Sequence, residues 1–245
     1  MSIKSKITLW VKSLPAGRRL HLVLLSCYKA IITPLRRRRL QRFGFRILGE
    51  LNEVFKRNHV EYYLAFGTLL GMMREGGFIA HDDDMDLLVN SQDTKDVKKV
   101  VAMMLECGFK FKHVLVASGK ILYYTFEKYG VSVDLWCFDR LSDNSGFYFY
   151  LAYTNLNVKY ERANQCNWYR IKQPNISLGK KIKMRGAQFM IPDNAIEMLE
   201  AFYGKGWKTP DRNWVAEDSP RKFEDMPGFA ENIDSIDLLN LTERL

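Results

Sequence analysis

Apolar residues recur every third and fourth position over two long parts of the chain and cluster in short runs elsewhere. Residues 40–58 place Leu40, Phe43, Ile47, Leu51, Val54 and Phe55 at helical spacing, which predicts a core-facing helix. "EYYLAF" (residues 61–66) predicts a strand, and "LLGMMREGGF" a short helix ended by Gly76 and Gly77. A second strand is expected over 85–89 and a helix over 94–107, with Val97, Val100, Val101, Met104 and Leu105 inward. Further strands are expected at 121–126 and 131–138, and a helix over 191–204 entered through Pro192 and Asp193. Residues 142–172, rich in Tyr, Asn and Trp, show little periodicity and look like an aromatic insertion. Pro210, Pro220 and Pro227 mark an irregular tail. Strands alternating with helices predict an α/β (α+β) body, a mixed sheet flanked by helices.

The N-terminal 39 residues have a different pattern. Ile7, Trp10, Val11 and Leu14 form one helical stripe, with Lys4, Lys6, Lys12 and Ser13 largely off it. After Pro15 and Gly17 a second amphipathic helix is expected, whose narrow polar stripe is Ser26, Lys29, Thr33 and Arg36. Its apolar stretch, 20–35, contains Lys29 and ends at a proline, short for a membrane span. No small-residue cleavage site follows it.

Charge sharpens this division. The 245-residue chain carries a formal charge of +9, yet residues 1–49 hold 12 basic and no acidic side chains, leaving 25 basic against 28 acidic in the rest. The basic character therefore belongs to residues 1–39, a segment suited to an anionic membrane surface, and not to the body at 40–245. A nucleic-acid-binding body would spread Lys and Arg over its own face, so no nucleic-acid partner is expected. Cys27, Cys107, Cys137 and Cys166 are widely spaced and read as reduced packing residues without a structural zinc site.

"GFIAHDDDMDLLV" (residues 77–89) packs four aspartates into five positions before an apolar run. In a strand, residues two apart share a face, so Asp84 and Asp86 present carboxylates together, with Asp82 able to extend the row. Two ionised carboxylates that close are costly without a cation between them, and hard oxygen ligands suit Mg²⁺ or Mn²⁺. A calcium loop has the same opening spacing but needs Gly where Leu87 stands. A solvated acidic turn is the other reading. Against it, "VSVDLWCF" carries Asp134 alone among apolar neighbours, and a lone charge in a buried-looking strand needs a partner. Upstream, "FGTLLG" runs a strand through Gly67–Thr68 into a helix, where backbone N–H groups and a hydroxyl suit a phosphate; many such turns are only caps. Arg74 either reaches an anion in bidentate fashion or is a surface arginine paired with Glu75 or an aspartate.

From Gly67–Thr68 through Gly71, Arg74, Gly77–Phe78–Ile79 and the aspartates, this stretch resembles the signature of the LicD family, in the nucleotidyltransferase-fold superfamily. "VSVDLWCF" looks like its third-carboxylate strand and "LEAFYGKGWKTP" like its Tyr-Gly segment. The family includes bacterial phosphocholine transferases and the eukaryotic fukutin-related proteins. The resemblance implies a nucleotidyltransferase-like mixed sheet. It also implies metal-dependent transfer of a phosphorylated group from a CDP-linked donor to a hydroxyl of a glycan or lipid-linked glycan. Carried onto this chain, Asp84 and Asp86 hold Mg²⁺, with Asp134 as third ligand or as base for the acceptor hydroxyl. Gly67 and Thr68 cradle donor phosphate beside Arg74. His81 stands where the family often has Trp or Tyr. A cytoplasmic protein, peripheral on the inner face of a bacterial membrane, is the expected setting. The rival readings are nucleotidyl transfer to a sugar or small molecule, and an inactive membrane-associated scaffold.

Overall fold

A computed structural model describes residues 17–153, 162, 164–211, 213–215 and 218–234, with side chains described from residue 32. Helix α1 (Gly17–Arg57) leads into strand β1 (Tyr62–Leu64), α2 (Phe66–Arg74), β2 (Asp84–Asn90) and α3 (Val97–Glu106). Then come β3 (Lys110–Ala117), β4 (Lys120–Lys128), β5 (Val131–Arg140), β6 (Phe147–Tyr153) and β7 (Gln165–Gln173). The hairpin β8 (Gly179–Met184) and β9 (Ala187–Pro192), helix α4 (Ala195–Tyr203), β10 (Phe223–Asp225) and β11 (Ala230–Asp234) complete the order.

The strands correct the expectation of a helix-flanked, nucleotidyltransferase-like α/β sheet. β5 pairs with β4, β4 with β3, β3 with β11, β11 with β7, β7 with β6, and β6 again with β5. Every pairing in that ring is antiparallel, so six strands close into a barrel, which leaves no exposed edge within the ring. The residues expected to be an aromatic insertion supply β6 and β7, and the tail supplies β11, which seals the ring. β7 hid from pattern reading because its two faces are buried almost alike: Trp168, Ile171 and Gln173 are buried without strict alternation. β11 buries only Ala230 and Ile233, too little for a two-residue period.

Outside the barrel, β2 adds to β5 in parallel and β1 adds to β2 antiparallel. β5 thus forks. Its residues from Ser132 to Phe138 pair with β2, and from Phe138 to Arg140 it pairs with β6. One face of this region is apolar: Met85, Leu87 and Val89 of β2 and Val133, Leu135 and Cys137 of β5 join one core with Leu40, Ile47, Leu48, Leu51, Val54 and Phe55 of α1. The alternate residues, Asp84, Asp86, Asp134 and Trp136, are left for the other face.

The core-facing periodicity at 40–58 is met by α1, but the helix does not stop before it. α1 runs unbroken through Pro34 and the arginines at 36–39, where separate helices were expected. An interior proline loses a backbone hydrogen bond and crowds the turn before it, yet from Leu40 onward the stripe is anchored in the core. Residues 1–16, with the first amphipathic stripe, lie outside the described residues, as do the side chains of 17–31. Among the described residues no helix is long and apolar enough to cross a membrane. The 191–204 helix starts later, at Ala195, and is capped at Gly204 with φ +82°. A Cβ on Gly71 would lie 2.5 Å from the carbonyl oxygen of Gly77. α2 therefore packs directly on the loop that carries the aspartates.

Candidate active site in the β5 fork

The β5 fork opens into a cleft of about 770 Å³, within the range that holds a small ligand. Asp84 and Asp86 from β2, Asp82 from the preceding loop and Trp136 from β5 line one side. Gly67 and Arg74 from α2, Tyr203 from α4, and Trp207 and Trp214 from the segment after it line the rest.

Strand alternation brings Asp84 and Asp86 to one face, as expected. The N–H of Asp86 donates to Thr68 Oγ1 at 2.9 Å, and its carbonyl accepts from Ala65 N–H at 3.1 Å. Its carboxylate Oδ1 accepts from Trp136 Nε1 at 2.9 Å. Thr68 is therefore spent on fixing β2: it is buried and does not line the cleft, whereas Gly67 does. A Cβ on Gly67 would sit 2.7 Å from Asp82 Oδ2, so glycine keeps the start of α2 open to that carboxylate. Phe66, with φ +42°, holds a left-handed conformation that bulky residues rarely adopt. Its ring is seated among Trp136, Phe149 and Phe202. Strain of this kind collects at functional sites.

Electrostatically the acidic side is under stress. Burial pushes the Asp86 carboxyl well above the usual range, and the charges of Asp84 and Asp134 push it further, against the Trp136 hydrogen bond. Asp84 is raised by burial and then by Asp83, with Arg36 opposing. Burial, then Asp84, Asp83 and Glu75, lift Asp82 to about 6 against Arg74. Burial lifts Asp134 to about 7, with Asp84 adding and a Thr125 hydrogen bond and Arg36 opposing. Carboxylates raised together by their own proximity are groups that a bound cation would relieve.

Asp134 is the Cα partner of Asp86 across the parallel ladder, but it does not line the cleft. Its Oδ1 accepts from Thr125 Oγ1 at 2.6 Å. Among the described residues, no three His, Cys, Asp or Glu side chains converge into a ready metal cluster. The cleft instead presents the Asp84–Asp86 pair. That donor set fits Mg²⁺, which is commonly held by one or two carboxylates with substrate phosphates and water completing its shell.

Arg74 has the Glu75 partner that one reading gave it, but it is largely buried. Its side chain is only 11% exposed, Nη2 donates to Glu75 at 2.9 Å, and Nη1 to the Trp207 carbonyl at 3.3 Å. His81 is exposed at the cleft mouth. Asp83 turns away and pairs with Arg36 at 3.8 Å. Sequence reasoning missed Trp136, Tyr203, Trp207 and Trp214. For Tyr203 and Trp207 the signal was the aromatic cluster "FYGKGW" within the family-like segment; no comparable pattern marks Trp136 or Trp214.

The family described as "LicD/FKTN/FKRP, nucleotidyltransferase domain" matches residues 59–194, a span holding Gly67, Arg74, all four aspartates and the β5 fork. The chain belongs to this family. The ribitol-5-phosphate transferase FKTN of mouse is 27% identical over 167 residues, 66% of this chain and 32% of that protein. Human FKTN is 26% identical over the same lengths. An uncharacterised protein of Rickettsia typhi is 25% identical over 111 residues, 45% of this chain and 33% of its own. The chain thus spans about a third of the length of the curated relatives it matches. Tyr203, Trp207 and Trp214 lie beyond the matched family span.

Proposed function

We propose that the cleft transfers a phosphorylated substituent from a CDP-linked donor to a hydroxyl of a glycan or lipid-linked glycan. Membership of the family supports the class of reaction, and the mouse and human relatives are ribitol-5-phosphate transferases by name. The observation that carries the reading is the juxtaposition in one cleft of paired carboxylates on β2 with Arg74 and the open start of α2. Phosphoryl transfer demands positioning and charge neutralisation more than covalent chemistry, and no nucleophilic serine or cysteine is needed.

Asp84 and Asp86 hold a divalent Mg²⁺ or Mn²⁺ cation. When bound, it neutralises charge on the phosphoryl oxygens. Trp136 and Thr68 keep Asp86 in place through its carboxylate and its backbone N–H. Asp82, open to the cleft beside the pair, accepts the proton of the incoming hydroxyl as general base. Asp134 acts from behind, in register with Asp86. Residues 1–39 hold the domain on an anionic membrane face, where lipid-linked acceptors are presented. Deleting residues 1–31, which spares the buried part of α1, is expected to release the protein from anionic liposomes while turnover of a soluble acceptor survives. Unchanged liposome binding would contradict the membrane role.

The reaction is tested by incubating the protein with Mg²⁺, a glycan acceptor and a panel of CDP-linked choline, ribitol and glycerol. Release of CMP, with the phospho-substituent on the acceptor, is expected. Consumption of a nucleoside triphosphate with release of pyrophosphate would instead mean nucleotidyl transfer, and an inert mixture would mean a scaffold.

A further inference from the structure

The side of the cleft facing the carboxylates has a property of its own. Single buried polar atoms without a partner, such as Arg37 Nε and Arg221 Nε, are scattered elsewhere, but here three N–H groups have no acceptor among the described residues: Arg74 Nε, Trp207 Nε1 and Trp214 Nε1. A buried donor left unpaired is costly, and such groups are rare enough in native proteins that each calls for a cause. Here three occur in residues that line one cleft. They are held there firmly. Trp207 is 5% exposed and its carbonyl accepts from Arg74. Trp214 packs with tilted rings against Tyr203 and Phe202, centroids 4.5 and 5.6 Å away.

Tyr203 adds a fourth donor. Its hydroxyl makes no hydrogen bond among the described residues, and it is close enough to Asp82, Asp86 and Arg74 to feel all three charges. Burial, before any of them, pushes its pKa far above the ordinary tyrosine value. The hydroxyl therefore stays protonated at any working pH and is available as a donor.

Indole and guanidinium N–H groups have no lone pair to offer. A polyol would satisfy them only with its oxygens, and its own O–H donors would have to turn away to the carboxylates and the Tyr203 oxygen elsewhere in the cleft. A phosphate or diphosphate brings acceptors alone, and one of the four donors is a cation suited to it. We infer that Arg74, Tyr203, Trp207 and Trp214 form a donor-lined subsite that takes the diphosphate oxygens of the activated donor. The inference rests on the transfer reaction proposed above and assigns the residues that hold the donor for it. It also explains how an anion enters an acidic cleft: the carboxylates bind it through a cation, and the opposite side binds it directly.

The test is binding, independent of turnover. Pyrophosphate is titrated with and without Mg²⁺ into the full chain labelled with 5-fluorotryptophan, and fluorine NMR is read at each tryptophan. Saturable shifts are expected at Trp207 and Trp214 and none at Trp168, whose N–H already donates to the Pro227 carbonyl. Y203F, W207F and W214F are each expected to weaken pyrophosphate about tenfold, the scale of one lost hydrogen bond to a charged group. If W207F melts early, Y203F carries the test, because it keeps the ring that packs on Trp214. No saturable binding by the wild-type chain overturns the subsite, as does binding of equal strength in the variants or shifts confined to Trp168. CMP release that is unaltered in the variants would leave the transfer reaction standing without the subsite. Pyrophosphate binding that depends on these residues, with no CMP release, would leave the subsite without the reaction.

Discussion

The barrel and the cleft are built from the same kinds of aromatic side chain, but the polar atoms of Trp168 and Tyr150 in the barrel are used, whereas those of Trp207, Trp214 and Tyr203 in the cleft are not. Inside the barrel, Trp168 Nε1 donates to the Pro227 carbonyl at 3.2 Å, and the Tyr150 hydroxyl donates to Asp139 at 2.6 Å. Asp139 also accepts from Lys120 and Ser91, so its charge is fully met and its carboxyl stays below the usual range despite burial. In the cleft, Trp207, Trp214 and Tyr203 keep unpaired donors, while Asp82, Asp84 and Asp86 are pushed upward by burial and by one another. Trp168 and Tyr150 have completed their polar bonding within the chain; Trp207, Trp214 and Tyr203 have left theirs for something outside. A ligand carrying both a cation and phosphate oxygens would complete both sides of the cleft together.

The largest effect that would separate the two regions is removal of the carboxylate pair. D86N is expected to lower turnover by at least about 10³-fold, as loss of a centre that neutralises developing charge does, while the metal-free fold is retained. An active D86N enzyme would break the functional half of the comparison. Next comes G67A, whose Cβ would press on Asp82 Oδ2. A displacement of that carboxylate by about 1 Å is expected to cost on the order of 10²-fold in kcat, with the melting temperature little changed.

Swapping tryptophans sharpens the contrast. W168F leaves the Pro227 carbonyl without its donor and is expected to cost about 1–3 kcal/mol of stability, read by denaturant titration, with pyrophosphate binding intact. W214F is expected to do the reverse. If both variants lose stability and neither loses binding, the two regions are alike and the contrast fails.

The smallest effect is on pH. Asp82 and Asp134 have folded pKa values raised to about 6 and about 7, so the folded state holds protons that the unfolded chain has already released. Their contribution to stability is fully present below the unfolded carboxylate pKa and is lost as pH rises through about 6 and then about 7. The melting temperature of the metal-free protein is expected to fall over that window. D84N should flatten the fall, and Mn²⁺ should raise the melting temperature more at pH 8 than at pH 5. A flat profile without metal would mean that these carboxylates are not crowded.

The cleft's acidic side was legible in the sequence because strand alternation is a local rule: Asp84 and Asp86 had to share a face, and Leu87 excluded a calcium loop. The helical stripe from Leu40 to Phe55 was legible for the same reason. The barrel was not, because its closure depends on pairings between distant segments, β3 with β11 and β5 with β6. The strands involved, such as β7 with "QCNWYRIKQ", lack the alternation that marks a sheet with one wet face. Asp134 was legible in part: it does stand beside Asp86, and its charge and those of Asp84 and Asp86 act on one another. Its isolation among apolar residues pointed correctly to a partner, but that partner is Thr125, and adjacency to Asp86 in the ladder did not bring it into the cleft. The donor side was invisible for another reason. Trp207 and Trp214 lie in a stretch without periodicity, and an unpaired N–H is a property of the folded molecule alone.

Whether the cleft brings a cation and a phosphorylated donor together is answered most directly by Mn²⁺ titration followed by electron paramagnetic resonance, with and without a CDP-linked alditol. One Mn²⁺ per chain is expected, bound more tightly when the CDP compound is present and lost in D84N and D86N. Mn²⁺ binding that ignores both the CDP compound and the two substitutions would contradict that role for the cleft.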